Sequence, residues 1–94
     1  ITLPESKAGC KFRFQVAAAF STDFLVQTVA TQRDVISGSL MVAGAVVDAD
    51  AVDRVTFEDG AERIGDYIEL TGDGSVWMLW GNGAQSSSIT VGEL

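Results

Sequence analysis

Residues 65–81 constrain this chain more than any other stretch: Gly65, then Tyr67-Ile68-Glu69-Leu70-Thr71, then Gly72-Asp73-Gly74-Ser75, then Val76-Trp77-Met78-Leu79-Trp80 before Gly81. Two short runs rich in β-branched and aromatic residues flank a turn of Gly and Asp. Those turn residues tolerate the positive φ that a tight hairpin demands, and the flanking types suit a pleated, packed surface. The stretch predicts a hairpin, and with it an all-β chain.

The other segments agree. Lys11-Phe12-Arg13-Phe14-Gln15-Val16 alternates with period two: Phe12, Phe14 and Val16 point one way and the polar residues the other, as in a strand with one wet face. Ala17-Ala18-Ala19 is too short to nucleate a helix and leads into a Ser21-Thr22-Asp23 turn. Strands are expected over residues 24–29 and 54–57, and over 35–42 with a break or bulge at Gly38. A polar connection covers residues 30–34. Val46-Val47 is strand-like, whereas Asp48-Ala49-Asp50-Ala51 reads as a loop or a single helical turn. Glu58-Asp59-Gly60-Ala61 turns the chain. Residues 82–88 have the composition of a flexible linker to a short terminal strand, Ile89-Thr90-Val91, which pairs either at home or on the sheet edge of a neighbouring subunit. Strands spaced by roughly 8–12 residues fit a small antiparallel β-sandwich or barrel-like domain.

With 94 residues there is room for one domain, 1–94, and one core. The chain is 47% apolar but only 20% charged, a balance expected of a protein that hides surface against other copies. Its net charge of −7 and six Lys and Arg give no basic stripe for a phosphate backbone, so nucleic acid is not an expected partner. No run of about 20 apolar residues would cross a membrane. The opening Ile1-Thr2-Leu3-Pro4 is strand-like and has no signal-peptide pattern.

The same inventory argues against catalysis. There is no His, which removes the usual Cys-His and Ser-His mechanisms, and the single Cys10 can neither close an intrachain disulfide nor build a zinc site. Asp48, Asp50 and Asp53, with Glu58 and Asp59, form a carboxylate-rich stretch without the central Gly and terminal Glu of a calcium loop. Asp66 and Glu69 are three apart and face opposite sides of a strand, unlike the convergent pair of a glycosidase. Gly72-Asp73-Gly74-Ser75 lacks the Lys and the helix of a phosphate loop. No cofactor is expected. Trp77 and Trp80 also fall on opposite faces, one for the core and the other for a subunit interface or a sugar ring.

Ile1-Thr2-Leu3-Pro4, Ala8-Gly9, Phe12-Arg13-Phe14, Gly65-Asp66-Tyr67-Ile68-Glu69-Leu70 and Ser75-Val76-Trp77 together resemble small β domains on tailed-phage virions. Such domains decorate capsids, as cement or head-decoration proteins, or form fibre and spike modules. The resemblance covers both ends of the chain and leaves about residues 30–60 unmatched. It implies a structural protein on the capsid surface of the virion, a homotrimer, with the major capsid protein as partner. The expected contact residues are Ile1, Thr2, Leu3, Ile89, Thr90 and Val91, with Trp80 at a subunit interface. Deleting either terminus is expected to abolish capsid binding while the core stays folded. A tail-fibre or spike module, and a carbohydrate-binding module using Trp77 or Trp80, are the alternatives.

Overall fold

The structure, a computed structural model, describes residues 1–19, 21–29, 31 and 34–93. Of the polar connection expected over 30–34, Ala30, Gln32 and Arg33 lie outside the described residues. The described residues contain no helix, and nine strands: β1 (Thr2–Leu3), β2 (Lys11–Gln15), β3 (Phe24–Thr28), β4 (Ile36–Val42), β5 (Ala45–Val52), β6 (Arg54–Phe57), β7 (Tyr67–Gly72), β8 (Trp77–Gly83) and β9 (Ile89–Gly92). They form a four-stranded sheet, β1-β3-β6-β9, and a five-stranded sheet, β2-β7-β8-β4-β5.

The all-β expectation holds, but a purely antiparallel arrangement does not. β1 pairs parallel to β3 and β4 parallel to β8, so both sheets are mixed. Between β1 and β3 the chain visits the opposite sheet as β2, and between β4 and β8 it runs through β5, through β6 of the opposite sheet and back through β7, and local residue patterns carry no record of such crossovers.

Alternation builds the core. Phe12 and Phe14, Ile68 and Leu70, Trp77 and Leu79, and Ile36, Leu40 and Val42 face inward from the five-stranded sheet. Val26, Val55, Phe57, Ile89 and Leu3 meet them from the other. Trp77 is fully buried, its ring 5.6 Å from that of Phe12, and its indole N–H donates to the Pro4 carbonyl at 3.3 Å. Gly38 marks a register shift against β5, as expected, and its φ of 151° suits glycine. A Cβ there would strike the Leu79 backbone.

The 65–81 hairpin is present. Asp73 closes it by accepting from the backbone N–H groups of Ser75 and Val76, both at 2.8 Å, which holds its carboxyl below the ordinary range. A second hairpin joins β4 to β5 through Ala43 and Gly44, both at positive φ.

Two expectations need correction. Asp48-Ala49-Asp50-Ala51 is neither loop nor helical turn but part of β5: Ala49 is buried while Asp48 and Asp50 face water. Ala and Asp have poor strand propensity, and it is pairing with β4 that supplies the missing stabilisation. Asn82 and Gly83, read as the start of the linker, are the last two residues of β8. The connection that follows contains a turn in which the Ser88 N–H donates to the Gln85 carbonyl at 3.1 Å.

Candidate docking surfaces

The five-stranded sheet shows one face to water. Pairing register lines up Arg13, Glu69, Trp80, Ser39 and Asp48 in a single row across all five strands. On one side of that row Gln15, Tyr67, Asn82, Met41 and Val46 continue across all five strands, and on the other Lys11, Thr71, Met78 and Ser37 continue across four. Trp80 is 58% exposed, Met78 49% and Val46 68%, large apolar side chains standing on a rigid ladder. Trp77 and Trp80 therefore lie on opposite faces, as their spacing predicts, with Trp77 in the core and Trp80 on the outer face.

Charge on this face is polarised. At the β2 edge the Glu69 carboxylate holds Arg13 at 2.5 Å and Lys11 at 3.1 Å. The hydrogen bond and charge of Lys11, followed by those of Arg13, keep the Glu69 carboxyl below its ordinary range, outweighing an opposing loss of water. The Arg13 guanidinium also sits 4.2 Å from the centre of the Tyr67 ring. This cluster carries one net positive charge. At the opposite edge Asp48 and Asp50 are exposed on β5, and among the described residues neither forms an ion pair.

The expected terminal contacts fall at the two edges of the other sheet. β1 is one edge and β9 the other. Ile1 is exposed and its ammonium donates to the Leu25 carbonyl at 2.7 Å, Thr2 is exposed, and Leu3 is buried. In β9, Ile89 is buried, while Thr90 and Val91 are half-buried. Of the two pairings left open for residues 89–91, β9 has the one at home, antiparallel to β6. The carbonyls of Ser88 and Gly92 accept from the N–H groups of Glu58 and Asp53, so strand alternation turns the main chain of Ile89 and Val91 toward the open edge. Beside that edge runs a cleft of about 390 Å³ between β9 and β5, with Val42, Val47, Ile89 and Val91 on its walls.

The carboxylates scatter rather than converge. Asp48 and Asp50 face water, Glu58 accepts from the Thr90 hydroxyl at 2.7 Å, and Asp59 donates its N–H to Asp23. Asp66 is buried and accepts from the N–H groups of Arg63 and Ala84, far in role from the half-buried Glu69. Asp53 is different. It is fully buried, the single residue between β5 and β6, where the chain passes from one sheet to the other. Its carbonyl accepts from Thr28 and its carboxylate from the Asp34 N–H at 2.5 Å. Carboxylate oxygens of Asp34, Asp53 and Glu93 lie within 4.8 Å of one another, a set of hard donors of the kind that holds a cation. The hydrogen bond to Asp53, then loss of water, then the charges of Asp53 and Asp34 push the Glu93 carboxyl up to about 7.

Sequence reasoning missed three things here: the partners of Trp80 on its face, the cleft beside β9, and the Asp34-Asp53-Glu93 cluster. The alternation of Val47 and Ala49 with Asp48 and Asp50 could have placed β5. The cluster had no local signal, because its members are 19 and 40 residues apart along the chain. Comparison with family models, with curated proteins and with solved structures gives no match.

Proposed function

We propose that this protein is a structural binding module, a capsid decoration or cement protein of the kind found on tailed-phage heads, that works by docking rather than by catalysis. In this reading its partners are the major capsid protein and further copies of itself, and its place is the capsid surface. The observation that carries the docking half is the β9 edge: outward main-chain groups at Ile89 and Val91 lie beside an apolar cleft. Strand addition uses such an arrangement, with main-chain hydrogen bonds supplying affinity and an adjacent hollow accepting alternate side chains. Leu3 and Ile89 belong to the core in this reading, and the contacts fall to Thr90, Val91 and the exposed Ile1 and Thr2. Trp80 stands apart from both terminal strands and serves self-association.

The test is cosedimentation of the purified protein with tailed-phage heads stripped of their own decoration protein. Saturable binding at many copies per head is expected. Val91→Pro removes one outward N–H without touching the β6 ladder and should weaken binding about tenfold, the cost of roughly one main-chain hydrogen bond. Absence of binding by the folded parent protein at tens of micromolar, about −6 kcal/mol or weaker, would sink the reading.

A carbohydrate-binding reading has one observation in its favour, the polar Glu69, Asn82 and Ser39 around Trp80. Quenching or a shift of tryptophan fluorescence with a glycan, lost in Trp80→Ala, would select it.

A further inference from the structure

We propose that two copies of this chain pair face to face through the outer surface of the five-stranded sheet, about a two-fold axis running along β8. The proposal deepens the reading above by naming the self-association that Trp80 serves. It commits to a two-fold rather than the three-fold symmetry that the virion resemblance implies.

The order of the strands carries it. β8 is the middle strand, with β7 and β2 on one side and β4 and β5 on the other. A two-fold axis parallel to β8 and lying in the interface lays β2 of one copy over β5 of the next, and β7 over β4. Residues in one row stay in that row. Arg13 then faces Asp48 of the second copy, and Trp80 faces its own equivalent. One row along, Lys11 approaches Asp50, and Met78 meets Met78. On the other side Tyr67 meets Met41. Every off-axis pairing occurs twice, and the Trp80 and Met78 self-pairs once on the axis, as an isologous interface requires.

Rival arrangements fit less well. An axis at right angles to the strands would set the basic β2 edge over itself and the acidic Asp48-Asp50 edge of β5 over itself. Shifting the axis off β8 by half a strand spacing places Glu69 opposite Asp48. Like charges in contact disfavour both. The centred two-fold leaves the Lys11 and Arg13 side, with its one net positive charge, against two acidic groups that have no ion pair among the described residues. Aromatic and methionine side chains lie at the middle and charges at the rim, the usual anatomy of a protein interface.

The available area sets the strength. Five strands about 4.8 Å apart and seven residues of about 3.3 Å each span roughly 24 by 23 Å, or about 1,100 Å² over both copies. That lies at the small end of specific interfaces, which predicts a dissociation constant of micromolar order.

The experiment is analytical ultracentrifugation of the 94-residue chain from about 1 to 500 µM in low salt, bracketing the micromolar range. A monomer–dimer equilibrium is expected. Two charge-swapped proteins, Lys11→Glu/Arg13→Glu and Asp48→Lys/Asp50→Lys, should each sediment as monomers. Mixed in equal amounts they should recover the dimer, because every reversed group then meets its opposite; that recovery also certifies that both variants are folded. A parent chain that stays monomeric at the top concentration, a trimer, or charge-swapped proteins that dimerise alone as well as when mixed would each overturn the proposal. Head binding by the same proteins is read separately through the β9 edge. Loss of the dimer with head binding retained removes this inference and leaves the functional reading, whereas the reverse result removes that reading alone.

Discussion

Glu93 lies just past β9, where the carboxylates of Asp53 and Asp34 come within 4.8 Å of its own. Hydrogen bonding to Asp53 favours its protonated form, and its carboxyl titrates at about 7 instead of 4.5. The folded chain therefore holds a proton there that the unfolded chain releases. Linkage then fixes the sign: the stabilisation is complete below about 4.5 and is lost as pH rises through about 7. Glu69 and Asp73 act oppositely, since their lowered values give stability that is present above 4.5 and 3.8 and disappears as pH falls. Between about pH 5 and pH 7.5 the Glu93 contribution decides the slope, and the urea midpoint should fall as pH rises. Glu93→Gln, which keeps a donor toward Asp53 but cannot ionise, should flatten that slope. A midpoint that rises over this interval in the parent chain would contradict the assignment.

At the scale of elements, the β4–β5 hairpin shows where this chain departs from ideal turn chemistry. A two-residue turn with positive φ at both central positions suits Asn-Gly or Gly-Gly, yet Ala43 occupies the first position with φ of 52°. Its Cβ costs about 1 kcal/mol in that region. Ala43→Gly should therefore raise stability by somewhat under about 1 kcal/mol, because glycine also gains freedom in the unfolded chain. Equilibrium urea unfolding with an unchanged m-value checks it. The same mismatch explains why residues 48–51 read as a loop or a helical turn in the sequence. Ala43-Gly44 is a weak turn signal and Asp48-Ala49-Asp50-Ala51 a weak strand signal, so the hairpin depends on β8 holding β4 from its other side. The β7–β8 hairpin needs no such help, since Asp73 and Gly74 supply its turn and Ile68, Leu70, Trp77 and Leu79 its buried face. That is why it could be read directly.

For the whole molecule, the ends of the chain are the edges of one sheet. β1 and β9 close the four-stranded sheet on opposite sides, and each delivers a residue to the core, Leu3 and Ile89, both about 1% exposed. Removal of Ile1-Thr2-Leu3 should destabilise the protein by about 3 kcal/mol, the usual cost of emptying a buried leucine site. The denaturant midpoint of the truncated chain measures this, and a midpoint matching the parent would show that the edge contributes nothing. A truncation thus reports on folding and docking together, whereas Val91→Pro separates them.

The sequence by itself determined the all-β character, the central hairpin, the inward face of β2, and the division of Trp77 and Trp80 between core and surface. Each of these follows from side-chain alternation or turn chemistry within about ten residues. Only the tertiary structure decided the parallel pairings, the passage between sheets at the buried Asp53, and the rows that place Arg13, Trp80 and Asp48 on one face. Those depend on which strands become neighbours. Burial of the shared core selects the neighbours, and period-two alternation alone is compatible with many strand orders.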